Sequence, residues 1–139
     1  MIREAIISDY EIIEKIISDN YEFKLLEEET NTIREALTNY NKVVYIDYEN
    51  EIPVAYAQCS LKNDTNVVGY LEKIYIKHNY RNKGIDKKLL NKCEEWAKIK
   101  GCEKFTASCN LSDESLMNLF NHLGFSETDK IAYFSKELD

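Results

Sequence analysis

The chain has 139 residues, of which 44% are hydrophobic, and 25 Asp and Glu against 18 Lys and Arg give it a net charge of −7. This length supports one core, so we predict a single domain over residues 1–139. An acidic chain repels phosphate backbones, which argues against nucleic acid as a partner. No apolar run reaches the roughly 18 residues of a membrane span, so no membrane is expected as a partner either.

The charge is unevenly distributed along the chain. Residues 1–50 hold 12 acidic and 5 basic side chains, whereas residues 77–104 hold 9 basic and 4 acidic ones. Two interpretations stay open. The charged groups form solvated faces, or the basic region binds an anionic ligand and the acidic half lies near a cationic one.

The cysteines and histidines indicate neither disulfides nor a metal site. None of the four cysteines belongs to a C-x-x-C pair: Cys59, Cys93, Cys102 and Cys109. With no secretory signal pattern, we expect reduced thiols in a cytoplasmic protein. His78 and His122 lack the spacing of zinc ligands, so no metal is expected.

Hydrophobic periodicity predicts the elements of the first half. A short strand, Ile2–Ala5, precedes a helix that Ser8 or Asp9 caps. A second helix, two strands and a polar hairpin loop then follow, at Leu25–Leu37, Val43–Tyr48, Ile52–Leu61 and Lys62–Asn66.

The second half begins with a strand, Val67–Lys77, and a basic turn, Arg81–Asp86, which leads into a helix, Gly84–Lys100. The pattern then predicts a strand, Lys104–Ser108, and a helix that Ser112 or Asp113 starts and Gly124 ends. Two final strands are predicted at Phe125–Glu127 and Ile131–Ser135. This alternation predicts a mixed α/β fold.

The strand, glycine turn and helix around Gly84 are typical of a phosphate-binding unit. The first backbone N–H groups of a helix have no partner in the helix, and the helix dipole favours an anion beside them. We therefore predict that this segment binds a cofactor that carries a pyrophosphate.

Specific motifs resemble a known family. Arg81-x-x-Gly84, the preceding strand end Ile74-Tyr75-Ile76 and the later Leu123-Gly124-Phe125 resemble the GNAT superfamily of acetyl-CoA-dependent N-acetyltransferases. Four longer runs look like the aminoglycoside 6′-N-acetyltransferases of that superfamily: Gly69–Ile76, Glu95–Lys98, Leu123–Lys130 and Tyr133–Lys136. The resemblance implies a central mixed, mostly antiparallel sheet flanked by helices.

The resemblance also implies roles for individual residues. The backbone of the strand end would pair with the pantetheine arm of acetyl-CoA, at Ile74, Tyr75 and Ile76, and the N–H of Ile74 or Tyr75 would donate to the thioester carbonyl. The pyrophosphate would bind at the turn, which comprises Arg81, Asn82, Lys83, Gly84, Ile85, Asp86 and Lys87. Asp113 would contact the cofactor as well.

On the acceptor side, Glu72 and Asp129 match acidic positions of the family. We expect Glu72 to bind the acceptor ammonium and to help remove its proton. Ser108 is a second catalytic candidate, which would orient the amine or a water molecule.

The chain departs from the family pattern at four positions. Asp86 stands where many members have Gly or Ala, and Phe120 stands where many have a tyrosine that protonates the leaving thiolate. Ser108 replaces an aspartate and Asp113 replaces an asparagine of the aminoglycoside enzymes.

The leading hypothesis is therefore an acetyl-CoA-dependent enzyme that acetylates a primary amine of a cationic small molecule, with an aminoglycoside first. Two alternatives stay open: acetylation of a protein or peptide amine, and a non-catalytic module that binds acyl-CoA. The assembly is left open, with a homodimer as one option.

Overall fold

A computed structural model describes residues 1–19, 27–62 and 67–139. The described residues form two compact units, Met1–Ser108 and Cys109–Asp139. None of the described helices is long and apolar enough to cross a membrane.

The first unit contains a sheet and three of the described α-helices. In chain order its elements are β1 (Ile2–Glu4), α1 (Tyr10–Ile17), α2 (Glu27–Thr38), β2 (Lys42–Glu49), β3 (Ile52–Lys62), β4 (Val68–Ile76), α3 (Ile85–Ile99) and β5 (Lys104–Thr106). Single 3₁₀ turns, Ile7–Asp9 and His78–Tyr80, lie before α1 and α3. These bounds agree with the predicted elements to within a few residues.

The strands form one sheet in the order β1-β2-β3-β4-β5. The first three pairings are antiparallel, and β4 pairs with β5 in parallel. A parallel neighbour requires a crossover connection, which α3 supplies. The predicted mixed, mostly antiparallel sheet is therefore confirmed.

Helices cover both faces of the sheet because alternate strand residues point to opposite sides. One face packs on α1 and α2 through a buried cluster that includes Ile13, Ile16, Ile33, Val44, Ile46 and Tyr56. The other face packs on α3, where Lys92 lies 6.0 Å from the Tyr45 ring. The residues that α3 buries recur at helical spacing: Ile85, Leu89, Leu90, Cys93, Trp96 and Ala97.

Gly69 sets how closely α3 and β5 approach β4. A Cβ placed on Gly69 would lie 2.9 Å from Cδ1 of Phe105 and 3.1 Å from Cβ of Ala97. Contacts this short force side chains or backbone to move. The absence of a side chain at Gly69 therefore fixes the spacing between the crossover helix and the strand.

Asp9 lies at the predicted start of α1, but its carboxylate has another role. Its buried carboxylate makes no side-chain hydrogen bond to the first turn of α1. Instead, the Arg3 guanidinium donates to both oxygens at 2.8 Å, and the Ile6 N–H donates at 2.8 Å. Asp9 is thus the N-cap residue of α1, as predicted, but the bidentate Arg3 guanidinium takes the place of a side-chain hydrogen bond to the helix.

The second unit contains α4 (Glu114–His122), which Asp113 caps by accepting a hydrogen bond from the Leu116 N–H at 3.1 Å. Gly124 follows with a φ of 93°, so the predicted helix end is confirmed. The final strands predicted at Phe125–Glu127 and Ile131–Ser135 are wrong, since no strand is assigned over 125–139. A strand requires a ladder of backbone partners, which β-favouring side chains do not supply by themselves.

Some predicted features fall outside the described residues. These are residues 25 and 26 of the second predicted helix and residues 63–66 of the predicted hairpin loop. All four cysteines lie in the described part of the chain and are free thiols.

We predict that Asp9→Asn lowers the free energy of unfolding by about 2 kcal/mol at neutral pH, because it weakens charged hydrogen bonds to Arg3. The Arg3 hydrogen bond, opposed by burial and aided by the Ile6 N–H, lowers the pKa of Asp9 below its ordinary 3.8. The stabilisation is therefore complete above that value and is lost as the pH falls through the lowered pKa. Urea unfolding of wild type and Asp9→Asn, from neutral pH down through the pKa of Asp9, measures this difference in the free energy of unfolding.

Glu11→Gln is the matched control, because Glu11 is exposed and, among the described residues, accepts a hydrogen bond from its neighbour Tyr10 alone. Equal stability of wild type and Asp9→Asn at neutral pH would contradict the prediction.

Candidate active site

Strand β4 leaves its parallel neighbour after three residues. Only Val68–Tyr70 pairs with β5, whereas β4 continues to Ile76. Within the described part of the chain, no strand pairs with this outer edge from Leu71 onward. An open edge of this kind can hydrogen-bond an extended ligand.

The register identifies which backbone groups face the open edge. The Lys77 N–H donates to the Val54 carbonyl on β3 at 2.8 Å. Since backbone direction alternates, Tyr75 also faces β3, whereas Ile74 and Ile76 face the open edge. Of the two predicted thioester donors, the N–H of Ile74 is placed to donate and that of Tyr75 is not.

The turn after β4 is anchored to the strand end by Arg81. Its Nε donates to the Ile76 carbonyl at 2.9 Å, and its guanidinium lies 5.5 Å from the Tyr75 ring. Asn82 and Gly84 then adopt left-handed backbone, with φ of 62° and 82°. The predicted glycine turn is therefore present, and it leads directly into α3.

The first turn of α3 retains free donors. Its N-cap, Gly84, has no side-chain hydrogen bond, and in the described part of the chain the N–H groups of Ile85 and Asp86 have no partner. Residues 81–84 are exposed. An anion can therefore reach these donors and the positive end of the helix dipole.

The Asp86 carboxylate accepts a hydrogen bond from a backbone N–H that a bound phosphate would otherwise use. Its Oδ1 accepts a hydrogen bond from the Lys87 N–H at 2.7 Å. Lys88 does not offset this carboxylate, because its ammonium lies 3.0 Å from Glu49 and 3.5 Å from the buried Asp47. The Asp86 carboxylate would therefore compete with an anion that binds at the helix terminus.

Glu72 is the extra residue of a β-bulge. Gln58 of β3 lies opposite Lys73, and the next residue, Cys59, lies opposite Leu71. Glu72 therefore has no partner residue, and the bulge turns its side chain towards the α1 and α2 face. A local irregularity thus positions the predicted base, two residues before Ile74.

Two polar residues that the sequence did not single out contact Glu72, and a third contacts one of them. The amide of Gln58 donates to it at 3.4 Å, and the Lys42 ammonium lies 3.3 Å from its Oε1. Lys42 also lies 3.2 Å from Glu35 of α2. The sequence could have indicated Lys42, because it lies two residues before the buried Val44 on β2 and therefore on the same face of the sheet.

Ser108 lies just after β5, and its hydroxyl hydrogen-bonds to that of Tyr70 at 2.7 Å. Tyr70 lies two residues before Glu72 on the same strand. The two predicted catalytic residues are therefore linked through β4 without direct contact between their side chains.

The remaining predicted residues lie in the second unit. Asp113 uses its carboxylate to cap α4, and Asp129 accepts from the Lys130 N–H at 2.8 Å. Phe120 packs against Phe125 with ring centroids 5.4 Å apart. Among the described residues, no three His, Cys, Asp or Glu side chains group as metal ligands would.

Comparison with known proteins identifies the family. The acetyltransferase (GNAT) family matches residues 10–125. The chain belongs to this family and is an acetyltransferase, as the motifs predicted. It is 30% identical over 148 residues to the aminoglycoside N(6′)-acetyltransferase type 1 of Acinetobacter haemolyticus, an alignment that covers 98% of this chain and 95% of that protein.

Solved structures confirm the fold. The apo aminoglycoside 6′-N-acetyltransferase from Acinetobacter haemolyticus superposes with a TM-score of 0.86 at 23% identity, over 100% of this chain and 99% of the other. The enzyme AAC(6′)-Iy, in complex with the bisubstrate analogue CoA-S-monomethyl-acetylneamine, superposes with a TM-score of 0.86 at 19% identity. That alignment covers 99% of this chain and 98% of the other.

We predict that Asp86→Ala strengthens CoA binding about fivefold, because it frees the Lys87 N–H and removes a charge that repels phosphate. Titration calorimetry with CoA measures the change. Glu95→Ala is the control, since it removes an exposed carboxylate from the same helix, beyond its first turn. Unchanged or weaker CoA binding by Asp86→Ala would contradict the prediction.

Proposed function

We propose that this protein transfers the acetyl group of acetyl-CoA to the 6′-amino group of an aminoglycoside, by direct attack in a ternary complex. The observation that carries the proposal is the Glu72 carboxylate, which a bulge places on β4 two residues from the open backbone of Ile74. The relative from Acinetobacter haemolyticus, an aminoglycoside N(6′)-acetyltransferase, supports the choice of acceptor.

The residues present fit acetyl-CoA. An extended pantetheine arm can hydrogen-bond to the outward backbone groups of Ile74, as a strand would. The exposed turn 81–84 and the free N–H groups of Ile85 and Asp86 suit a pyrophosphate. Acetyl-CoA supplies the activated acyl group, and the other parts of the reaction fall to this chain's own residues.

Glu72 binds the acceptor's ammonium and then accepts a proton from it, directly or through a water molecule. An ammonium has no lone pair, so the proton must leave before nitrogen can attack. Asp129 remains a proposed second contact for the acceptor, on the basis of the motif alone.

The Ile74 N–H donates a hydrogen bond to the thioester oxygen, where negative charge develops as the new C–N bond forms. The C–S bond then breaks and CoA leaves as a thiolate, which takes up the second proton that the nitrogen loses as the amide forms, directly or through a water molecule. Phe120 has no proton to give, so this position does not supply that proton.

We predict that Glu72→Gln lowers kcat by about 100-fold, because the amide cannot accept the ammonium proton. Thiol release from acetyl-CoA in the presence of an aminoglycoside measures kcat, and the thermal midpoint checks folding. Glu4→Gln is the control, since Glu4 is an exposed carboxylate on strand β1. A kcat unchanged by Glu72→Gln shows that water, not Glu72, removes the proton.

The acceptor class is tested with a panel of aminoglycosides, polyamines and lysine peptides. We expect thiol release with aminoglycosides and a product acetylated at the 6′ nitrogen. Release with lysine peptides alone would instead favour a protein or peptide acetyltransferase, and no release despite CoA binding would favour a non-catalytic module.

Ser108 is proposed to orient the amine or a water molecule. We predict that Ser108→Ala lowers kcat by about tenfold, whereas Tyr70→Phe, which deletes the same hydroxyl–hydroxyl bond, lowers it less. The same thiol-release assay compares them. Equal losses would mean that Ser108 acts only through its hydrogen bond to Tyr70.

The single-domain organisation over residues 1–139 stays part of the proposal. The family match over residues 10–125 supports it, because it spans the boundary between the two compact units. Location in the cytoplasm and assembly as a homodimer remain predictions.

A further inference from the structure

An internal ammonium lies at the carboxylate that is proposed to bind the acceptor. Lys42 is the first residue of β2, and its side chain is only 20% exposed. Its Nζ lies 3.3 Å from Oε1 and 3.4 Å from Oε2 of Glu72. The same nitrogen lies 3.2 Å from Oε2 of Glu35.

The two carboxylates that hold Lys42 differ in exposure. The Glu72 side chain is 23% exposed and, in the described part of the chain, has Lys42 and Gln58 as its side-chain partners. The Glu35 side chain is 50% exposed, and the Asn39 amide donates to it at 2.6 Å. Glu35 can therefore keep the ammonium of Lys42 if Glu72 releases it.

Lys42 is charged at neutral pH. Burial lowers the pKa of Lys42, but the hydrogen bonds and charges of Glu35 and Glu72 outweigh that effect and raise the pKa above its ordinary value. The Glu72 carboxylate is therefore already paired with a cation, and an acceptor ammonium must take that cation's place.

We propose that Lys42 is an internal competitor of the acceptor, whose ammonium occupies the Glu72 carboxylate until the ammonium of the acceptor replaces it. Glu35 retains Lys42 during this exchange. The inference rests on the proposed acceptor role of Glu72.

Lys42 affects amine and hydroxyl acceptors differently. A second ammonium can replace Lys42 because it again pairs the Glu72 carboxylate with a cation. A neutral hydroxyl in that place would leave the carboxylate without one. Lys42 therefore lowers the affinity of 6′-amino acceptors and has little effect on 6′-hydroxyl analogues, which leave the Lys42–Glu72 pair in place.

Titration calorimetry with CoA-saturated protein tests the proposal, because it does not depend on turnover. The ligands are neomycin B and paromomycin, which carry an amino and a hydroxyl group at the 6′ carbon, respectively. We expect Lys42→Met to bind neomycin B about fivefold more tightly than wild type does, since a partly exposed ion pair no longer has to be broken. Its affinity for paromomycin should stay within about twofold of wild type.

Three further variants test whether Lys42 competes with the acceptor for Glu72 or instead supports the structure of the site. Lys42→Arg keeps the charge and should bind both ligands as wild type does. Glu35→Gln leaves Lys42 with Glu72 alone and should weaken neomycin B binding about threefold. Lys92→Met removes a lysine from an ion pair on α3 with Glu95 and should change neither affinity.

The proposal is overturned if Lys42→Met binds neomycin B no more tightly than wild type does, or if both ligands gain affinity equally. It is also overturned if neither ligand binds any of these proteins. If Lys42→Met does not fold, unchanged neomycin B affinity in Glu35→Gln overturns it. The proposed function fails on a separate observation, the absence of thiol release by wild type with neomycin B.

Discussion

One constraint organises the site: β4 can pair with β5 over only three residues. Beyond Tyr70 the outer edge of β4 has no strand partner in the described part of the chain, and the bulge at Glu72 falls where this pairing ends. Continued pairing of β4 with β5 would use the backbone of Ile74 internally. The short pairing therefore leaves the backbone donor free, and the bulge against β3 places the Glu72 carboxylate beside it.

Much of the fold could be predicted from local signals. Helix α3 follows from its apolar period and from Gly84, which supplies the left-handed turn before it. The bulge at Glu72 could not be predicted, because a bulge depends on the register with β3. The final strands were predicted wrongly for a related reason, since Ile131–Ser135 has strand-forming side chains but no ladder.

The charged residues of the site also divide into those that the sequence indicates and those that only the folded chain brings together. Glu72 was recognised from its motif, whereas Lys42 and Glu35 come from distant segments that only the folded sheet and α2 bring together. Asp86 was recognised as unusual, but its hydrogen bond to the Lys87 N–H depends on local geometry that the sequence leaves open. Side-chain identity thus indicated which groups matter, and tertiary pairing decided which of them meet.

The close contact at Gly69 has a consequence for mutation at a distance. Ala97, which would meet a side chain at Gly69, lies twelve residues along α3 from Ile85, or about 18 Å at the rise of an α-helix. Because an α-helix is stiff along its axis, a methyl group added at Gly69 would tilt or shift the N-terminal end of α3 as well. A substitution at Gly69 can therefore alter the glycine turn from a distance along the helix.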